Sequence, residues 1–382
     1  MLIDGKPTRT IRPVGDGAVE IIDQTLLPHA VERVRLRVLD DYLHAIKDML
    51  VRGAPLIGVT AAFGLSRALM DDPSDAGLDA AVAALAATRP TAVNLFWALD
   101  RVAKAVRPTA PSGRAEAAHA EAVAIAEEDV AACRAIGENG AALIEAAAKE
   151  TRGPVNVLTH CNAGWLATVD WGTAIAPIYV AAERGVPVHV WVDETRPRNQ
   201  GAALTAFELG HQGIAHTVIV DNVGGHLMQH GMVQLCITGA DRVTAHGDAA
   251  NKIGTYLKAL AAKDNAVPFH IAAPLSTIDW TLGDGVAEIA IEQRDAREVT
   301  WMAGRAADGA RAEVQIAAAG SPCCQLRLRR HAGAADQQLH HRARPGGARR
   351  TGGALGSWPD REGLGGARSG RRDANALTVH NV

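Results

Sequence analysis

After Gly153-Pro154, short apolar runs alternate with longer stretches of helical character, and this rhythm restricts the fold more than any other feature of the chain. The runs predict strands over Val155–Thr159, Val186–Val192, Thr217–Val220, Gln234–Thr238 and Pro268–Ala272. Between them, Thr173–Arg184, Gly201–His211 and Asn251–Lys263 read as helices. Such alternation predicts a Rossmann-like parallel sheet with helices on both faces. In that architecture ligands gather where strands end at their carboxyl edge. Every polar cluster suited to chemistry follows one of the runs: His160-Cys161-Asn162, Asp193-Glu194-Thr195-Arg196, Asp221-Asn222 and Gly239-Ala240-Asp241-Arg242. One edge of the sheet is therefore expected to carry a site.

The first half reads differently. Alanine and leucine recur at helical spacing from Asp75 to Arg89 and from Arg114 to Lys149. Thr10 to Leu27, with Gly15 and Gly17 between β-branched runs, suits a small hairpin. After about Ser321 arginine crowds in, lysine disappears and periodicity is lost, so no core is expected there. The chain of 382 residues is thus expected to be α/β. Residues 1–150 would form a mostly helical N-terminal domain, 151–320 a Rossmann-like catalytic domain, and 321–382 an aberrant, disordered tail.

Composition excludes several classes of function. A formal net charge of -3 gives no reason to expect nucleic acid or an anionic membrane as partner. No apolar run approaches the roughly 20 residues of a membrane span, and no secretory signal opens the chain. Five cysteines form no CxxC pair, which suits reduced thiols in the cytoplasm. The histidines show no HExxH or paired ligand spacing, and no glycine loop matches a dinucleotide or Walker pattern. Neither metal nor cofactor is expected.

Individual residues leave alternatives open. Cys161 sits at a strand-to-helix turn, where backbone amides and a helix N-terminus can stabilise a thiolate; it also suits a small buried core position. Asp241, just after an apolar run, can be a general acid or base at the rim of a closed cleft. It can equally be a helix cap or an ion-pair partner of Arg242. Arg52-Gly53-Ala54 and Arg89-Pro90 combine guanidinium and backbone amides, which suits a phosphate or simply a helix end. Asn251-Lys252 is predicted to open a helix, where an anion or an ordinary cap would fit.

Taken in order, Ile22-Asp23-Gln24-Thr25-Leu26-Leu27-Pro28, Val51-Arg52-Gly53-Ala54-Pro55, Arg89-Pro90-Thr91-Ala92-Val93-Asn94-Leu95, Thr159-His160-Cys161-Asn162-Ala163-Gly164, Asp193-Glu194-Thr195-Arg196-Pro197, Thr238-Gly239-Ala240-Asp241-Arg242 and Gly247-Asp248 through Tyr256 resemble the methylthioribose-1-phosphate isomerases of methionine salvage. The resemblance spans roughly residues 1 to 320. It implies conversion of a cyclic aldose 1-phosphate into the open-chain ketose 1-phosphate, without cofactor, in a homodimer. It implies Asp241 as proton donor, Cys161 beside it, and substrate binding by Arg52, Gly53, Ala54, Arg89, Gln200, Asn251 and Lys252. Arg52, Arg89 and Lys252 would lie near the phosphate.

Departures from the family pattern fall at Trp165, Ala203, Phe207 and His246. Trp165 and Ala203 are expected near the site, which leaves a 5-deoxyribose or ribose 1-phosphate as alternative substrate. The same family includes regulatory subunits of a translation-initiation exchange factor, which bind sugar phosphates or nucleotides without turnover. The pair Cys161 and Asp241 is expected to separate the enzymes from those subunits.

The tail carries one further signal. With one choice of synonymous codons, Cys323 to Ala332 read one base later gives Ala-Ala-Asn-Tyr-Ala-Phe-Asp-Val-Thr, the segment with which family members continue. The first base of each shifted codon is the fixed middle base of the original, so the agreement constrains the gene. A frameshift near Pro322 is expected, with loss of the last strand and helix of the second domain.

Overall fold

A computed structural model describes residues 1–289 and 294–323, together with the backbone alone of two short strands, His340–Ala343 and His380–Asn381. Five helices dominate the first half: α1 (Leu39–Lys47), α2 (Ala54–Asp71), α3 (Asp75–Thr88), α4 (Val93–Val106) and α5 (Pro111–Glu150). Their starts have local causes. Pro55 and Pro111 occupy the first turns of α2 and α5, where a missing N–H costs nothing. Ser74 caps α3 by accepting the Gly77 amide at 3.0 Å. Leu56, Leu65, Leu78, Leu95, Leu99 and Val102 form the apolar interior of this bundle.

The expected hairpin is present as Ile11–Pro13 and Val19–Ile22. A third antiparallel strand, Arg33–Leu36, extends it; its alternating arginines gave no buried run to find. The 40-residue α5 serves two cores. Ala118, Ala122 and Ile125 pack in the bundle, while Ile136, Ala141 and Ile144 pack against the sheet.

The sheet contains five parallel strands: β1 (Val155–Thr159), β2 (Val188–Asp193), β3 (Ala215–Ile219), β4 (Leu235–Thr238) and β5 (Phe269–Ile271). Their order is β5-β4-β1-β2-β3. Alternate residues face opposite layers, as the pleat requires. Val155, Val157, Val190, Leu235 and Ile237 pack with α5 and with α6 (Ala176–Glu183). Leu158, Cys236 and Phe269 pack beneath Leu227, Met228 and Ala262, from helices Val223–Gln229 and Thr255–Asp264. Both faces are covered over β1, β4 and β5, where the continuous apolar runs were a sound guide to strands, whereas the edge strand β3 is largely exposed.

Two local expectations are corrected. Asn251 and Lys252 do not open a helix; they end a short strand, Ala249–Lys252, which pairs antiparallel with Arg242–Thr244. Gly254, at φ +104°, turns the chain before the helix begins at Thr255. Gly201–His211 is also not one regular helix: a wider π turn over Gly201–Thr205 precedes the α-helix Ala206–His211. The expectations for the tail fall largely outside the described residues. Its two strand segments pair antiparallel with Ala249–Lys252 and with β5.

Candidate active site

Strand order decides where a site can form. The chain runs outward from β1 through β2 to β3, then returns to place β4 on the other side of β1. Beyond the carboxyl ends of β1 and β4 the connections diverge, leaving a crevice at this switch point. Cys161 follows β1 and Asp241 follows β4, so the topology sets them at the same crevice. The helical region closes it with the start of α2 and the end of α3. Arg52, Gly53, Ala54, Arg89, Cys161, Gln200, Asp241, Asn251 and Lys252 all line this one cleft. Its empty space is about 990 Å³, a figure that includes open solvent at the mouth.

Cys161 adopts φ +68°, a left-handed conformation that a non-glycine residue holds only when its surroundings insist. Two hydroxyls do so. Thr195 Oγ1 accepts the Cys161 amide at 2.8 Å, and Thr205 Oγ1 donates to the Cys161 carbonyl at 2.7 Å. The thiol points at Gln200, donating to Oε1 at 3.4 Å. No helix N-terminus backs it, contrary to expectation: the next element is a single 3₁₀ turn, Trp165–Ala167, and α6 starts only at Ala176. Cys161 is 7% exposed and borders the cleft, so it is both buried and placed where chemistry can reach it.

Arg52 is 8% exposed. It donates through Nη1 to Asn162 Oδ1 and through Nη2 to the Asn162 carbonyl at 2.7 Å. The Asn162 amide in turn donates to Glu208 Oε1 at 2.9 Å. Glu208, fully buried, also accepts from the Trp165 and Leu166 amides and from the Tyr179 hydroxyl at 3.1, 2.8 and 2.8 Å. Burial pushes the Glu208 carboxyl up, against these hydrogen bonds and the charge of Arg52. Burial likewise pushes the Arg52 guanidinium down, opposed by Cys161, Asp241 and Glu208 in turn. A cation thus sits among the groups flanking the cleft, oriented through Asn162 rather than quenched by a direct carboxylate partner. Gly53 permits the approach: at φ +92°, a side chain there would meet the Ala167 carbonyl at 2.4 Å.

Asp241 lies in the link between β4 and the strand Arg242–Thr244, and donates its amide to the Ala250 carbonyl at 2.8 Å. This hairpin folds Asn251 and Lys252 to the same cleft as the Asp241 loop. Asn251 is held by Thr255, whose Oγ1 accepts its Nδ2 at 3.0 Å and donates to the Lys252 carbonyl at 2.8 Å. Arg242 donates to the Thr91 carbonyl at 3.1 Å, tying the segment after Arg89 to the sheet.

The structure separates the two departures expected near the site. Trp165 is fully buried in the core beneath the sheet and does not border the cleft. Its ring packs in the apolar layer, and Glu208 accepts its backbone amide. Ala203 lines an adjoining groove that shares Met49, Arg52 and Gln200 with the cleft. Sequence reading placed Asn162 and Thr195 in polar clusters without giving them a role, and passed over Thr205 and Glu208. A glutamate between the buried Leu204 and Leu209 was the available signal, since a carboxylate at a core position needs a reason to be there.

Comparison with known proteins adds independent findings. The sequence profile of the Initiation factor 2 subunit family matches residues 50–319. The methylthioribose-1-phosphate isomerase of Methylorubrum populi is 66% identical over 323 residues, covering 84% of this chain and 88% of that one. The 5-methylthioribose 1-phosphate isomerase of Pyrococcus horikoshii superposes with a TM-score of 0.70 at 36% identity, covering 88% of each chain. The translation initiation factor eIF-2B, subunit delta, of A. fulgidus superposes with a TM-score of 0.68, also at 36% identity, over 88% of this chain and 91% of that one.

Proposed function

The chain belongs to the Initiation factor 2 subunit family and, within it, to the methylthioribose-1-phosphate isomerases, and from that premise we propose how its cleft performs the isomerisation. The enzyme converts 5-methylthioribose 1-phosphate into 5-methylthioribulose 1-phosphate, an aldose–ketose isomerisation of a sugar 1-phosphate. The observation that carries our reading is the convergence of a thiol, a carboxyl group and four cations, Arg242 among them, on one cleft at the switch point.

The chemistry has a specific difficulty. Phosphate on the anomeric oxygen prevents the ring from opening to a free aldehyde. The ring oxygen must gain a proton as its bond to C1 breaks, the hydrogen on C2 must reach C1, and the C2 hydroxyl must lose its proton. Asp241 as general acid protonates the ring oxygen, and its carboxylate then accepts the C2 hydroxyl proton, so the group is regenerated each cycle. Cys161 acts beside it at C1 and C2. Arg52, Arg89 and Lys252 hold the phosphate, and Gly53, Ala54, Gln200 and Asn251 complete the substrate contacts. The apolar neighbours Met49, Ile57, Pro274 and Ile289 keep bulk water from the reacting carbons.

A substrate panel tests this reading. The purified chain should turn over the methylthio sugar with a higher kcat/KM than 5-deoxyribose or ribose 1-phosphate. Binding of all three without turnover would instead support the second reading, a non-catalytic binding subunit, which the likeness to the A. fulgidus protein favours. The proposal includes a cytoplasmic homodimer; light scattering at 40.0 kDa rather than twice that mass contradicts the dimer.

A further inference from the structure

Directly behind the cleft lies a buried charged network that the isomerisation chemistry does not use. His160, Asp193 and Lys258 are 1%, 0% and 4% exposed. His160 Nδ1 lies 2.8 Å from Asp193 Oδ2, and the Lys258 ammonium lies 2.9 Å from the same oxygen. Lys258 also donates to the Asp221 carbonyl at 2.6 Å. Donor atoms of His160, Asp193 and Asp221 converge as metal ligands do, but the Lys258 ammonium already occupies a place among them. Taking three ionisable groups out of water is costly, and such an arrangement persists when it fixes something the protein needs.

What it fixes can be read from its outer contacts. His160 Nε2 lies 2.7 Å from the Ile253 carbonyl, the residue directly after Lys252. Gly254 presses on the same ring: a side chain there would meet His160 Cε1 at 2.7 Å. The imidazole, at the end of β1, is therefore clamped between Asp193 and the Ile253 carbonyl just past the Ala249–Lys252 strand. Its Asp193 partner, at the end of β2, sets the ring's orientation.

We propose that His160 is a positioning residue that fixes Lys252 against the cleft through the Ile253 carbonyl, and so sets the affinity for the sugar's phosphate. This rests on the assignment of Lys252 to the phosphate. The two ring nitrogens can be separated by substitution. The amide nitrogen of His160→Gln can replace Nε2 and keep the bond to Ile253. The shorter His160→Asn matches Nδ1 and keeps only the bond to Asp193.

Steady-state kinetics on the full chain should show KM for 5-methylthioribose 1-phosphate raised about tenfold in His160→Asn with kcat little changed, as expected for a lost charge-assisted contact. His160→Gln should bring KM back to within about threefold of wild type. Adding Lys252→Ala to His160→Asn should raise KM no further, because the two residues act through one contact. Equal KM in the Asn and Gln variants, or additive effects in the double variant, overturns the clamp while leaving Lys252 at the phosphate. An unchanged KM in Lys252→Ala alone overturns the phosphate assignment and the clamp with it. Should His160→Asn fail to fold, Gly254→Ala applies the same displacement from the other side, and an unchanged KM there overturns the proposal.

Discussion

The helical region and the parallel sheet furnish the cleft by different means. Arg52, Gly53, Ala54 and Arg89 come from helix ends, the start of α2 and the end of α3. Cys161, Gln200, Asp241, Asn251 and Lys252 come from the segments that follow strands or from a short hairpin. Behind the helical residues the packing is chiefly apolar: leucine, valine and alanine fill the bundle. Behind the sheet residues it is polar, with His160, Asp193, Thr195, Thr205, Glu208 and Lys258 all buried. Helix ends are stiff without help, yet Arg52, just ahead of α2, still takes its orientation from Asn162 on the sheet side. Loops at a sheet edge are not stiff, and these are held by side-chain hydrogen bonds to backbone. On the roles proposed above, charge for binding comes from the helices and reacting groups from the sheet, with Lys252 the exception.

The largest expected effect lies on the sheet side. Asp241→Asn should lower turnover by roughly 10²–10⁴-fold while KM changes little, since a general acid acts mainly in the transition state. Cys161→Ser should also lose most turnover while the melting temperature is retained. A loss of melting temperature together with activity would make Cys161 a packing residue and weaken the division. On the helical side, Arg89→Ala should raise KM about tenfold with kcat nearly unchanged. A fall in kcat alone would break the comparison, by assigning a helix-end arginine to the reacting centre.

The smallest effect concerns stability within the helical region. Burial pushes the Asp129 carboxyl up to about 7, against hydrogen bonds from the Val169 amide and the Cys133 thiol. The folded state therefore holds this proton more tightly than the unfolded chain. Its contribution is fully present below the ordinary carboxylate range and declines as pH rises toward about 7. Asp129→Asn should flatten the fall in melting temperature over that interval and leave kcat and KM alone. A steeper fall in the variant would reverse the sign of this assignment.

Much of this was legible in the chain. β1 matches its apolar run residue for residue, with Val155, Val157 and Leu158 buried on the two covered faces of a central strand. The four polar clusters after strands do lie at one edge, and all nine residues singled out meet at one cleft. The hairpin carrying Asn251 and Lys252 was not legible. Ala249–Lys252 has no β-branched residue, and its strand character comes from pairing with Arg242–Thr244. Nor were the supporting hydrogen bonds, since Thr195 to Cys161 and Asn162 to Glu208 span 34 and 46 residues of sequence. Trp165 shows the remaining limit: proximity to Cys161 in sequence did not mean proximity to the cleft, because one 3₁₀ turn directs it into the core.

The central claim is that this cleft isomerises the methylthio sugar phosphate through Asp241 and Cys161. Phosphorus NMR of the full-length protein with 5-methylthioribose 1-phosphate tests it most directly, since the anomeric phosphate of the substrate becomes a primary phosphate ester in the product. The account predicts growth of the ester signal with the wild-type chain and none on the same timescale with Asp241→Asn or Cys161→Ser. Substrate bound but unconverted by the wild type, or equal conversion by the Asp241→Asn variant, contradicts it.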